Sequence, residues 1–204
     1  GSADARSARR GESATPRERF RYRVGEHLRD KRLREKTEVA LRGAREVGKS
    51  AGNYGKLDDG KIVYGGISVP GNVPDAITVG ALNTFQTVAR GDDSVASYSS
   101  RGPTLFDHVM KPDLVAPGYH IASLQAPNST LALKYTAYRI GTTYFRLNGT
   151  SQAAPVVAGA AALMFQANPY LSGHTVKGIL QFTSQRLNGL DPMTQGAGEV
   201  NIAG

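Results

Sequence analysis

A serine stands directly in front of an apolar, alanine-rich run in Asn148-Gly149-Thr150-Ser151-Gln152-Ala153-Ala154-Pro155. The run continues through Val156 to Met164 and reads as one helix, which places Ser151 at a helix N-terminus. Unpaired backbone N–H groups and the positive end of the helix dipole gather there and favour negative charge. A hydroxyl in that setting has the surroundings of a nucleophile and of half an oxyanion site. Read alone, it is also an ordinary helix N-cap, a place that serine favours. Asn53 is a second polar group of interest, in Ser50-Ala51-Gly52-Asn53-Tyr54-Gly55, which by itself is an ordinary turn. Gly52 and Gly149 flank the two residues and would let backbone approach a bound substrate closely.

Buried strands and helices must hold these groups in place. Ala76–Leu82 is a short run rich in β-branched residues and is expected as a buried strand. Val95–Ser99 alternates as a second strand does. Asp113–Gly118 is expected as a strand running into a turn, and Ile121–Ser123 as another short strand. Residues 126–146 carry Tyr135, Tyr138, Tyr144 and Phe145 around Gly141, the texture of a β-hairpin or long loop. The helix after Ser151 is apolar on nearly every side, the pattern of a helix in the middle of a domain. Pro155 falls near its start, where a missing N–H costs less, and Asn168-Pro169 ends it. Thr175–Thr183 is expected as an amphipathic helix. The mixture predicts an α/β domain with a mainly parallel sheet and a buried central helix following Ser151.

Several blocks, in this order, resemble the subtilisin-like serine peptidases, the subtilase or S8 family. They are Ser50–Gly55, Val73–Ala81, Ser97–Pro103, Lys111–Gly118 and Gly149–Leu163, with a closing Gly-rich turn at Gly196–Asn201. The resemblance covers residues 50–204 and implies the later half of a subtilase catalytic domain. It implies that Ser151 is the nucleophile, that the Asn53 side-chain amide and the Ser151 N–H form the oxyanion hole, and that Gly52 and Gly149 line the substrate site. The implied activity is endopeptidase hydrolysis of a peptide or protein through an acyl-enzyme, in an extracellular or secreted setting.

The family also has a His in a His-Gly-Thr-His-type block and an Asp in an Asp-Thr/Ser-Gly block, both ahead of the Asn segment. Neither block occurs here, and none of His27, His108, His120 and His174 stands in such a context. The apolar strand that leads into Ala-Gly-Asn is likewise replaced by Arg42–Lys49. The expectation is therefore a chain that hydrolyses peptides negligibly alone and whose missing partner is the N-terminal half of the catalytic domain. The strand at Ile77–Leu82 would then keep an unpaired edge and make the protein prone to association. The alternatives are an inactive fragment or binding module, or polyanion binding through the N-terminal segment.

Residues 1–49 differ in character from the rest. They hold 15 Lys or Arg against 8 Asp or Glu, a net +7 of the chain's +8. Residues 1–16 are expected to be disordered on composition, and residues 17–47 to form at most a loose charged helix with Phe20, Val24 and Leu28 on one stripe. A boundary is expected near Lys49/Ser50. An out-of-frame or misjoined coding region ahead of Ser50 would produce such a break, and translating the upstream DNA in other frames tests for it. The chain opens Gly-Ser, as a fragment, a processed chain or a tagged form does. The segment lacks zinc, helix-turn-helix or RNA-binding signatures, so no specific nucleic-acid partner is expected. No apolar run approaches the ~18 residues of a membrane span.

No cysteine is present, which excludes disulfides and thiolate metal sites. No cofactor is identifiable and no metal ligand set can be placed; calcium enters only through the family resemblance. Asp58-Asp59 reads as a solvated loop pair, and the acceptor-like tripeptides at Asn128 and Asn148 as chance matches.

Overall fold

The computed structural model describes residues 48–203. The expectations for residues 1–47 lie outside the described residues. The main sheet is built around the expected apolar strand: Ile77–Asn83 (β2) is buried at every position but its last. Gly48–Ser50 (β1) lies parallel to it, pairing Gly48 with Ile77 and Ser50 with Val79. Ser94–Val95 (β3) pairs antiparallel with Asn83 and Leu82. Leu114–Pro117 (β4) runs parallel along the opposite edge, from Val79↔Leu114 to Leu82↔Pro117. A second, antiparallel sheet joins Ile121–Leu124 (β5), Arg139–Ile140 (β6) and Tyr144–Leu147 (β7), with β7 in the middle. The helices are Thr130–Lys134 (α1), Thr150–Ala167 (α2), Gly173–Thr183 (α3) and Pro192–Gln195 (α4). This is the expected α/β architecture with a mainly parallel principal sheet.

β1 corrects one expectation. The edge of β2 beside Asn53 is paired along Ile77–Val79, and the Ala51 N–H extends the ladder to the Val79 carbonyl at 2.9 Å. The predicted boundary at Lys49/Ser50 falls inside this strand. Its sequence hides it, because Gly-Lys-Ser has neither apolar run nor β-branched residues. Gly48 is there for packing: a Cβ would lie 2.9 Å from the Ala154 carbonyl and 3.4 Å from the Ala158 Cβ. Only a glycine lets the strand lie this close to α2.

The core lies between β2, β4 and α2. Ile77, Val79, Leu114, Val157 and Phe165 belong to one buried cluster, joined by Val176 and Leu180 of α3. Each such side chain contributes about 1.5–3 kcal/mol on burial. α2 is buried on the face it turns to the sheet, through Ala153, Val157, Ala160 and Ala161. Its opposite face is exposed among the described residues, at Pro155, Gly159 and Leu163, the last 57 % accessible. An all-round apolar sequence thus has cover on one side only.

The closing turn is fastened by charge. The Glu199 backbone bridges to Gln185 and to Val115 of β4. Its nearly buried carboxylate lies 3.3 Å from the Arg90 guanidinium, which also donates to the Val200 carbonyl at 2.8 Å. The Asp93 carboxyl meets the Glu199 carboxyl, with Asp92 close by, and burial is the main reason both are pushed above the usual carboxylate range. One guanidinium balances one carboxylate, so the pair favours keeping a proton. Folding then takes up protons: this stabilisation is full below the ordinary carboxylate range and is lost as pH rises through the raised folded values. In Glu199→Gln the unfolding midpoint should fall less than in the parent chain between about pH 4 and pH 7, each kcal/mol moving it by about 2–4 °C. Parallel pH profiles for the two chains would show that the pair does not titrate.

Candidate active site

Asn53 sits on a turn that three other segments hold in place. The Ser68 N–H and hydroxyl both reach the Ala51 carbonyl, at 2.9 and 3.2 Å. The Ser100 hydroxyl accepts from the Tyr54 N–H at 3.0 Å, and the Ser100 N–H donates to the Gly52 carbonyl at 2.9 Å. Buried Arg101 closes the turn by donating to the Gly55 carbonyl at 2.6 Å. A Cβ on Gly52 would meet the Ser68 hydroxyl at 2.6 Å and the Ser100 hydroxyl at 2.9 Å. Its missing side chain therefore faces this packing, and Gly52 serves the site by letting the turn seat.

β7 and the start of α2 bring Ser151 to this turn. Gly118 anchors the connection, accepting from the Gly149 N–H at 2.9 Å and from the Tyr98 hydroxyl at 2.9 Å. Burial pushes the Tyr98 phenol above its ordinary range, so it stays a neutral donor. Thr150, the first residue of α2, is buried and joins the two halves. Its N–H and hydroxyl both donate to Asn53 Oδ1, at 3.0 and 3.1 Å, and its Oγ1 accepts from the Gly52 N–H at 3.1 Å.

Those bonds fix which way the Asn53 amide points. With Oδ1 occupied, Nδ2 is turned toward Gly149, where a Cβ would lie 3.4 Å from Nδ2 and 3.7 Å from the Ser151 nitrogen. Among the described residues neither donor has a partner, so two N–H donors converge on a space that only glycine leaves open. An anionic oxygen there would be held from two sides. Ser151 is exposed at the second position of α2. Among the described residues no imidazole hydrogen-bonds its hydroxyl. His120 touches the nucleophile loop through its backbone, donating to Asn148 Oδ1 at 2.6 Å, while its ring stacks on Tyr119.

A family model described as the subtilase family matches residues 35–198. The chain belongs to the subtilase family. The match begins upstream of the boundary expected from composition. Over 135 residues the chain is 45% identical to Serine protease AprX of Bacillus subtilis (strain 168), covering 66% of this chain and 30% of AprX. Subtilisin Savinase of Lederbergia lenta is 34% identical over 137 residues, covering 67% of this chain and 40% of Savinase. Among solved structures, the Clostridium perfringens CspB protease superposes with a TM-score of 0.54 at 27% identity, over 70% of this chain and 28% of that one. Fervidolysin from Fervidobacterium pennivorans, a keratinolytic enzyme related to subtilisin, gives 0.54 at 28% identity, over 75% and 21%. The chain thus spans less than half the length of each of these relatives.

In this subtilase-family chain, sequence reasoning picked out Ser151, Asn53 and Gly149, and the fold brings the three together. It missed Thr150, although Thr150 stands inside the Gly-Thr-Ser run. The available signal was a β-branched hydroxyl at the first helical position, able to reach across to another segment. Thr150→Val keeps the shape and the backbone bond to Asn53 but removes the hydroxyl bond to Asn53 and strands the Gly52 N–H. It should cost about 1–3 kcal/mol of stability in urea unfolding, with Thr150→Ser close to the parent chain. A Val variant as stable as the parent would show that the hydroxyl bonds are dispensable.

Among the described residues no three His, Asp or Glu side chains are grouped to hold a metal. The Asp59 carboxylate is engaged by the Lys61 ammonium at 2.9 Å. Asp58 and Asp59 therefore do not make a calcium site by themselves. Among the described residues no helix is long and apolar enough to cross a membrane.

Proposed function

We propose that this chain carries the nucleophile and oxyanion-binding part of a subtilisin-like serine endopeptidase, and that it is nearly inactive by itself. The observation that supports this best is the pair of unpartnered donors, Asn53 Nδ2 and the Ser151 N–H, converging over Gly149. Ser151 Oγ attacks the scissile carbonyl carbon, and its proton passes to a base. The carbonyl oxygen becomes an oxyanion between the two donors. The C–N bond then breaks, the amine leaves with the proton, and water hydrolyses the acyl-enzyme by the reverse sequence of transfers. Gly149 leaves room for the oxyanion, and Gly52 seats the turn that carries Asn53.

The base and the carboxylate that orients it come, on this reading, from a partner segment equivalent to the N-terminal half of the catalytic domain. The exposed Pro155–Gly159–Leu163 face of α2 is the surface such a segment would cover. The catalytic-domain portion includes β1 from Gly48 onward, and the strongly basic lead lies ahead of it. An extracellular setting belongs to the same proposal, and calcium enters it only through the family resemblance.

The competing reading is an inactive fragment or binding module, favoured by the lack of any imidazole bonded to Ser151 among the described residues. A fluorophosphonate probe separates the two. The lone chain should label weakly or not at all, and adding the N-terminal half of a subtilase catalytic domain in trans should bring labelling to Ser151. Robust labelling of the lone chain, lost in Ser151→Ala, would point instead to a base within it, with His108, His120 and His174 the first to replace. No labelling with the added half would favour the binding module.

A further inference from the structure

Two Asn-Gly pairs occur in the chain, Asn148-Gly149 and Asn188-Gly189, and a leucine precedes each of them. Such a pair can react with itself. The glycine nitrogen gives its proton to solvent hydroxide and attacks the asparagine Cγ. An N–C bond forms, the Cγ–Nδ2 bond breaks, and the amide nitrogen leaves as ammonia with a proton from water. Water then adds across one of the two C–N bonds of the five-membered imide. The product is aspartate or isoaspartate, and in isoaspartate the main chain runs through the side-chain methylene. Glycine favours the attack because no Cβ screens its nitrogen, and asparagine counts among the thermolabile residues.

The fold treats these two identical Leu-Asn-Gly sequences differently. At the first, the Gly149 N–H is held by the Gly118 carbonyl at 2.9 Å, and Asn148 Oδ1 accepts the His120 N–H at 2.6 Å. Gly149 is also buried. Both reacting groups are engaged, and the imide cannot close without breaking them free. At the second, Asn188 and Gly189 are both exposed. Among the described residues neither the Gly189 N–H nor the Asn188 side-chain amide has a hydrogen-bond partner. Gly189 sits at φ +74°, and a Cβ there would meet no atom within 4 Å. The approach to its nitrogen is open.

The feet of this turn are fastened where its tip is free. Buried Gln195 accepts the Leu187 N–H at 2.8 Å and donates to the Leu187 and Leu190 carbonyls at 3.0 and 2.7 Å. Leu187 packs with Leu82 of β2 and Val115 of β4. One side chain therefore sets the span from residue 187 to residue 190. An isoaspartate inside that span lengthens the main chain by a methylene and pulls a foot away from Gln195.

We propose that Asn188 is a site of spontaneous covalent modification, converting to aspartate and isoaspartate in the folded protein, and that isoaspartate there loosens the loop held by Gln195. Neither step involves Ser151 or peptide hydrolysis.

The test is storage of the full chain, warm and at mildly alkaline pH, followed by tryptic peptide mapping with mass spectrometry. Cleavage after Arg146 and after Arg186 places the two pairs in different peptides. In the folded chain the peptide starting at Leu187 should convert at least about tenfold faster than the one starting at Leu147, because only Asn148-Gly149 must first give up two bonds. In urea, which releases those bonds, the two rates should converge. Asn188→Ser should remove the conversion from its peptide and leave the unfolding midpoint of fresh protein unchanged. As isoaspartate accumulates, the midpoint of the stored parent chain should fall while that of stored Asn188→Ser holds. Equal rates in the folded chain, or faster conversion at Asn148, overturn the proposal. A rate difference that persists in urea would owe nothing to the fold and overturns it as well. Conversion that survives in Asn188→Ser would belong to Asn201 and has the same consequence. A midpoint that stays constant while isoaspartate builds up overturns the loosening.

Discussion

Asp113→Asn should be among the most destabilising single substitutions in this chain. The Asp113 carboxylate is 4 % exposed and receives the Lys111 ammonium at 2.7 Å and the Lys177 ammonium at 3.0 Å. It also accepts the Thr78 N–H at 2.7 Å, which ties β2 to the residue just ahead of β4. Lys111 is completely buried, and its remaining contacts are the carbonyls of Ala76 and Pro74, at 2.8 and 3.4 Å. Burial is the main influence on Lys111 and pushes its ammonium below the ordinary lysine range, with Asp113 opposing that shift. Without the carboxylate two ammonium groups face each other across carbonyls, and a buried charge loses its counter-ion. Breaking a buried pair from one side costs about 3–5 kcal/mol, a large share of the roughly 5–15 kcal/mol that holds a domain together. Urea unfolding should show a correspondingly early midpoint. Lys111→Met removes the buried charge itself and should cost less, since Lys177 still answers Asp113. An Asn variant within about 1 kcal/mol of the parent would show that the cluster relaxes or takes up water.

After loss of the nucleophile itself, the largest effect on chemistry is expected at Asn53, in the protein complemented with the missing half. Asn53→Ala should lower kcat by about 10²–10³, or 2.7–4 kcal/mol, with KM little changed; that magnitude is the one found for this loss in subtilisin itself, a relative in this family. The reason is that the second donor acts on charge that appears only in the transition state. Asn53→Asp is a sharper control. It keeps the shape and the acceptor toward Thr150 but puts negative charge where the oxyanion must form, so it should be at least as damaging. Ser151→Ala should remove probe labelling entirely. An Asn53→Ala variant that keeps the parent kcat while Ser151→Ala abolishes labelling would move the oxyanion site elsewhere and leave the nucleophile in place.

The sequence by itself determined the parts of this protein that are chemically local. Ser151 at a helix start, the apolar strand at Ile77–Leu82 and the end of α2 at Asn168-Pro169 follow from patterns only a few residues long. Ordered blocks from Ser50 to Asn201 were enough to reach the family. Tertiary structure decided whatever depends on residues far apart in the chain. Thr150 and Asn53 are separated by 97 positions, and only the fold shows that the threonine fixes the amide. Gly48 gives no local sign of a strand, because the reason for it is the backbone of α2 lying against it. Helical periodicity reports that α2 is apolar, but not which of its faces has cover. The family resemblance already implied the two donors, Asn53 Nδ2 and the Ser151 N–H; what the packing of β2, β4 and α2 adds is that both face the space above Gly149. A short pattern carries local preference; convergence of groups and burial come from which segments meet.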